Sequence, residues 1–358
     1  MSLPKPININ VERYMGGLSK FKKIANPIKL SANESALGAS PKAINAFESG
    51  KDKIYNYPES DSNSLREAIS KKFNIESDRI ICGAGSDQIF DFVCKIFLKL
   101  GDEVIVTEFG FIMHRIYASV YGAKVIFAKE KNLKASVEEI LKKVTNKTKI
   151  VFIANPNNPT GTYLSKEEMF NLREKLRSDI LLVVDDAYFE FMNEDDFSSG
   201  LDLFKNRPNV LITRTFSKIY GLAGLRIGWG YSSKEIINAI NQIKPPFNIN
   251  RPALDASIEA INDDVWTKRA IEHNTLWSKK IFTILKENKI VANNPTANFF
   301  LMNFDKAIIN SDEAFEKLAE KRLILRKMDQ YKISNSLRLT IGNEEENQYF
   351  IKTVKEIF

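Results

Sequence analysis

From about residue 78 to residue 230 the chain alternates short β-branched runs with amphipathic stretches, and no other feature limits its possible folds as much. Strands are expected at 79–82, 103–107, 124–128, 149–154, 180–184, 209–213 and 226–230. Their Val and Ile residues mostly do not alternate with polar ones, as in strands covered on both faces. Helices are expected between several of them. The stretch 86–100 sets Ile89, Phe90, Val93, Ile96 and Phe97 on one face before Gly101. The stretches 136–144 and 165–176 each open on a serine followed by acidic residues, a capped and charge-matched helix start. Such alternation predicts an α/β domain with a mainly parallel seven-stranded sheet.

After Pro245-Pro246 the pattern changes. One long helix is expected over 253–288, then a mixed segment at 298–303, a helix at 312–321, strands near 323–326 and 336–341, and a final helix. This reads as a smaller α+β domain. The domains are expected at 51–250 (large) and 251–358 (small), with 1–50 forming an arm that joins the small one. At 358 residues the chain is long enough for both.

Composition narrows the function. With 44% hydrophobic and 27% charged residues the chain has the make-up of a soluble globular protein. The formal charge of +7 is spread among acidic residues without a basic run, so it supports a mild preference for anionic substrates rather than a nucleic-acid groove. Cys82 and Cys94 have neither metal-ligand spacing nor a disulfide framework, and His114 and His273 are the two histidines, too few for most His-based metal sites. Residues 1–10 carry no long apolar run and are not expected to form a signal peptide, and no apolar stretch is long enough for a membrane span. A reducing, cytoplasmic setting is expected.

Three segments carry chemistry. Lys218 leaves a β-rich run, Thr213-Arg214-Thr215-Phe216-Ser217-Lys218, with Arg226 eight positions on. Thr215, Ser217 and Arg226 could donate to a phosphate beside a Schiff-base lysine. The loop Asn155-Pro156-Asn157-Asn158-Pro159-Thr160-Gly161 follows another strand, at the sheet end where α/β folds bind ligands, and offers the Asn158 amide; a plain turn would use the same residues. Asp185-Asp186-Ala187-Tyr188 ends a third buried run. A carboxylate there is costly unless paired, and a protonated pyridine nitrogen is a suitable partner, with Tyr188 in reach of the ring's phenolic oxygen. A helix-capping Asp beside a packed Tyr is the alternative. A parallel sheet would gather all three segments at one edge.

These motifs resemble the fold-type I pyridoxal phosphate aminotransferases, most closely the histidinol-phosphate aminotransferase family, over almost the whole chain. Leu30-Ser31-Ala32-Asn33-Glu34-Ser35, Asn56-Tyr57-Pro58-Glu59, Gly85-Ser86-Asp87 and Leu337-Arg338-Leu339-Thr340-Ile341-Gly342 each resemble a family motif. The resemblance implies pyridoxal 5'-phosphate bound to Lys218, with Asp185 on its ring nitrogen and Asn158 and Tyr188 on its ring oxygen. It implies Gly85, Ser86, Asp87, Thr215, Ser217 and Arg226 around the phosphate, and Phe111 stacked on the ring. Arg338, Arg326, Asn33 and Tyr14 are implied at the substrate, and Tyr57 is implied to reach the partner's site in a homodimer. The expected reaction is transamination of histidinol phosphate with 2-oxoglutarate, in histidine biosynthesis. Departures at Ser35, Gln88, Glu108 and His114 weaken the substrate assignment. The alternatives are an L-threonine-O-phosphate decarboxylase, which resembles the same family, and an aromatic or general amino-acid aminotransferase. Cys82, Cys94 and His273 are expected to pack rather than react.

Overall fold

The computed structural model describes residues 11–17 and 24–358, so the reading of residues 1–10 lies outside them. Seven strands form one sheet: β1 (Ile80–Gly83), β2 (Glu103–Thr107), β3 (Lys124–Ala128), β4 (Thr148–Ala154), β5 (Leu181–Asp185), β6 (Val210–Thr215) and β7 (Gly228–Tyr231). Their spatial order is β1-β7-β6-β5-β4-β2-β3. Strands β2 to β6 pair in parallel, and β7 lies antiparallel to both β6 and β1. All seven expected strands are present, and no end is moved by more than two residues.

The missing polar alternation now has its cause. Val151, Ile153, Leu182, Val184 and Ile212 face one apolar core, while Ile150, Phe152, Leu181, Val183 and Leu211 face another across the sheet. Both faces are covered, so successive side chains are equally apolar. Edge strand β3 instead exposes Lys124 and Phe127.

Helix Ser86–Phe97 ends three residues earlier than its periodicity predicts, at Leu98. Ser165 caps its helix with a full capping box to Glu168. The helix expected over 253–288 is two, Arg251–Asn262 and Asp264–Glu287. Asp263 between them is non-helical, and its side chain accepts a hydrogen bond from Trp266 N at 3.3 Å. Local capping competes there with helix continuation and wins. Ala253, Leu254, Ala256, Ala260 and Ile261 pack in the large domain's core, whereas Trp277, Ile281 and Leu285 pack in another. The change of core thus comes along the second helix, later than the change of pattern at Pro245-Pro246.

The second core lies on a four-stranded antiparallel sheet of β8 (Val291–Ala292), β9 (Phe299–Asn303), β10 (Arg326–Lys327) and β11 (Ser336–Thr340), in the order β10-β11-β9-β8. The strand expected at 323–326 divides: Leu323–Ile324 pairs in parallel with Ile28–Lys29, and Arg326 pairs with β11. Leu30 packs in this core while Ala43 packs in the large one, so the arm spans both domains.

Candidate active site

Register brings the chemical segments together. Ala154 on β4 pairs with Asp185 on β5, which pairs with Thr213 on β6. The loops that follow therefore open on one edge, around a cavity of ≈ 350 Å³. Its walls include Ser86, Asp87, Phe111, Asn158, Asp185, Tyr188, Thr215, Ser217, Lys218 and Arg226, together with Tyr14, Asn33, Arg326 and Arg338. Gly85 sits just behind, and Tyr57 lies elsewhere, 80% exposed and stacked on Phe247 with ring centroids 4.5 Å apart.

Lys218 Nζ lies 3.5 Å from the carbonyl oxygen of Ala32 and 5.6 Å from the centre of the Tyr188 ring. Burial, followed by the Arg338 charge, pushes its amine down to about 8. A lysine so placed carries a far larger neutral fraction near neutral pH than an ordinary lysine does, and nucleophilic attack on a carbonyl needs that form.

Asp185 ends β5 with Oδ1 accepting from the Thr213 hydroxyl at 3.2 Å. His114 Nε2 lies 3.6 Å from Oδ2, is buried, and has no hydrogen-bond partner among the described residues. The His114 ring is wedged between Phe152, stacked at 4.7 Å, and the edges of Phe90 and Phe111. Sequence reasoning marked His114 only as a departure; 71 residues of chain separate it from Asp185, and nothing local announces the contact.

Asp186 does a different job. Its Oδ2 accepts from Gly200 N at 2.8 Å and lies 3.7 Å from Arg214, and burial pushes its carboxyl up to about 7. The Arg214 guanidinium lies 3.5 Å from the Phe189 ring centre and 4.6 Å from that of Phe73. This buried cluster fixes the loop that carries Tyr188.

The anion end is built from backbone. Gly85, at φ 79°, precedes helix Ser86–Phe97, whose first N–H groups lack a side-chain cap. Arg226 Nη2 meets Asp87 Oδ2 at 3.1 Å, and Nη1 lies 3.4 Å from Ser217 Oγ. A Cβ on Gly85 would sit 2.5 Å from Arg226 Nη2, and one on Gly228 would collide with Ser86 N. Space is thus kept clear where free N–H groups, an arginine and the Thr215 and Ser217 hydroxyls converge, a phosphate-binding arrangement. Gln88 accepts from Ala84 N and from Asn248 Nδ2, each at 2.8 Å, so this departure serves the loop's backbone.

At the opposite wall, buried Arg338 donates to Asn158 Oδ1 at 2.5 Å and to Ser31 O at 3.0 Å, while its Nε has no partner among the described residues. Arg326 donates to the Met15 carbonyl at 2.7 Å and lies 5.5 Å from the Tyr14 ring centre. Gln330 and Arg115 tie down the same arm segment through Arg13 O and Glu12. Asn33 hydrogen-bonds Tyr188 Oη at 2.9 Å.

These residues fit pyridoxal phosphate: an amine, a carboxylate for the ring nitrogen, an amide and a phenol for the ring oxygen, and the cleared anion cradle. No group of His, Cys, Asp and Glu among the described residues could hold a metal ion. Cys82 and Cys94 are free and buried, with the Cys82 thiol pushed up to about 12 by burial. His273 Nε2 meets Gly342 O at 2.9 Å beside Trp277, a packing role.

Comparison with known proteins gives the same answer independently. The chain matches the family model "Aminotransferase class I and II" over residues 25–354. Histidinol-phosphate aminotransferase of Pelagibacter ubique (strain HTCC1062) is 53% identical over 359 residues, covering 100% of each chain. That of Paramagnetospirillum magneticum (strain ATCC 700264 / AMB-1) is 40% identical, covering 99% of this chain and 98% of the relative. Among solved structures, histidinol-phosphate aminotransferase from Sinorhizobium meliloti in complex with pyridoxal-5'-phosphate shares the fold, with a TM-score of 0.84 at 21% identity over 92% of this chain and 91% of that one. The chain belongs to the histidinol-phosphate aminotransferase family, within aminotransferase class I and II.

Proposed function

We propose that this protein transfers an amino group from L-glutamate to the keto form of histidinol phosphate, reversibly, as a step of histidine biosynthesis, with pyridoxal 5'-phosphate as cofactor. The observation that carries the proposal is the convergence of Lys218, Asp185, Tyr188, Asn158 and Arg226 on one cavity that also holds two buried arginines. The cofactor supplies an electron sink for the bonds at the substrate's α-carbon.

The chain's own residues do the rest. Lys218 anchors the cofactor, and its lowered basicity suits it to take a proton from the substrate once released. Asp185 holds positive charge on the ring nitrogen, Asn158 and Tyr188 hold the ring oxygen, and the Gly85-Ser86-Asp87 turn with Arg226 holds the phosphate. Arg338 and Arg326 bind the substrate's anionic end, a carboxylate in one half-reaction and a phosphate ester in the other. Tyr14 closes over that end and Phe111 covers the ring. The working unit is a homodimer in which Tyr57 reaches the partner's cavity. Ile54, Tyr55 and Tyr57 are 72–81% exposed, an apolar patch that a second copy would cover. Among the described residues no helix is long and apolar enough to cross a membrane, and both cysteines are free, which supports a cytoplasmic setting.

The test is to load the protein with pyridoxal phosphate and offer histidinol phosphate with 2-oxoglutarate, phosphothreonine alone, and phenylalanine with 2-oxoglutarate. Glutamate formed from the first pair, at an efficiency at least about tenfold above the third, bears the proposal out. Release of carbon dioxide from phosphothreonine as the dominant reaction would overturn it.

A further inference from the structure

Asn33 stands where the arm, the large domain and the small domain meet. Its backbone is left-handed, with φ 53°. Its N–H donates to Thr340 Oγ1 at 2.9 Å, and the Thr340 hydroxyl donates back to Asn33 Oδ1 at 3.2 Å. The Asn33 carbonyl accepts from Asn298 Nδ2 at 3.2 Å. Three of the residue's polar groups are thus held by Thr340 of β11 and by Asn298, just before β9. The fourth, Nδ2, points the other way and donates to Tyr188 Oη at 2.9 Å.

The order of these donors has a chemical consequence. The Thr340 hydroxyl proton is directed at Oδ1, so the amide has one orientation that satisfies every group, with Nδ2 toward Tyr188. The Tyr188 oxygen therefore accepts from Asn33, and its own proton must point away from Asn33. That hydroxyl makes no other hydrogen bond among the described residues. Tyr188 lines the cavity, so the cavity is where the proton is offered. The adjoining arm residues show the same two-sidedness. Ser31 O accepts from Arg338, on the same strand and face as Thr340, while Ala32 O lies 3.5 Å from Lys218 Nζ.

We infer that Asn33 is a positioning residue that keeps the Tyr188 proton aimed at the cofactor's ring oxygen, and that it does so only while held by Thr340 of the small domain. This rests on reading the cavity as a pyridoxal phosphate site. It moves Asn33 from a substrate contact to a residue acting through Tyr188. A purely conformational explanation, that asparagine tolerates positive φ, accounts for the backbone but not for the Tyr188 contact.

Two variants separate these roles. Asn33→Gly keeps the backbone freedom and removes the amide. Asn33→Asp keeps the shape but turns the donor into a carboxylate, which would draw the Tyr188 proton to itself. A phenol donated to the ring oxygen favours that oxygen's ionised form, so its loss raises the pH at which the lysine-bound cofactor changes absorbance. In the pyridoxal phosphate-loaded protein the absorbance midpoint is expected to rise by about one pH unit in Asn33→Asp and by less in Asn33→Gly. Wild-type midpoints in both variants would overturn the inference. Should neither variant fold, Thr340→Val carries the test: a raised midpoint supports the linkage, and an unmoved one refutes it. A wild-type chain with no cofactor band sinks the functional reading itself; a normal band with unmoved variants sinks this inference alone.

Discussion

Lys218 is a buried amine beside a buried guanidinium, and its reactivity follows from that pairing. Burial and the Arg338 charge both disfavour the protonated form, leaving the amine at about 8 against an ordinary 10.5. Only the neutral amine attacks a carbonyl. The rate at which the cofactor-free protein captures an aldehyde at Lys218 should therefore fall as pH drops through about 8 and level off above it. Arg338→Met removes a positive neighbour, so the same profile should shift upward. Mass-spectrometric labelling of the Lys218 peptide across pH measures both, and a midpoint unmoved in Arg338→Met would contradict the assigned cause. The residues that meet in the cavity were legible in the sequence because Lys218, Asp185, Asn158 and Arg226 lie in short contiguous motifs whose residue types spell out their chemistry. His114 against Asp185 was not legible, nor was Asn33 against Tyr188, 155 positions away, nor Arg326 on the Met15 carbonyl, 311 positions away. Such contacts depend on tertiary packing between distant elements, which no local pattern encodes.

At the level of elements, the cradle proposed for the cofactor's phosphate depends on close backbone approach between β7 and the start of helix Ser86–Phe97. Gly228 faces Ser86 N there with no room for a side chain. Gly228→Ala should push the helix start away from Arg226 and weaken pyridoxal phosphate binding by about tenfold or more. Absorbance titration of the cofactor-free variant gives the comparison; wild-type affinity would show that the cradle tolerates displacement. The seven strands could be read from the sequence because apolar residues on both faces leave an unbroken signature. The break at Asp263 was hidden, since the apolar spacing of a helix continues across it while a single side chain caps the next one. The division of residues 323–327 between two sheets was hidden too, because the partners Ile28–Lys29 and β11 lie far off in sequence on one side and close by on the other.

For the whole molecule, the exposed Tyr57, Tyr55 and Ile54 set the prediction. If Tyr57 serves the partner's cavity, Lys218→Ala and Tyr57→Ala chains should each be impaired alone, yet mixed dimers should regain about one wild-type site each. Activity of a refolded mixture that merely averages the two would place Tyr57 in its own subunit's function. The two-domain plan and the diffuse positive charge could be read from the sequence, while the exposure of Ile54, Tyr55 and Tyr57 and the stacking of Tyr57 on distant Phe247 emerged only from the fold. All of these roles require that one lysine, Lys218, carry the cofactor. Borohydride reduction of the pyridoxal phosphate-loaded protein, followed by peptide mapping, tests it most directly. Stoichiometric modification at Lys218 and loss of transfer from L-glutamate are expected. Modification at another lysine, with the Lys218 peptide unaltered, would contradict it.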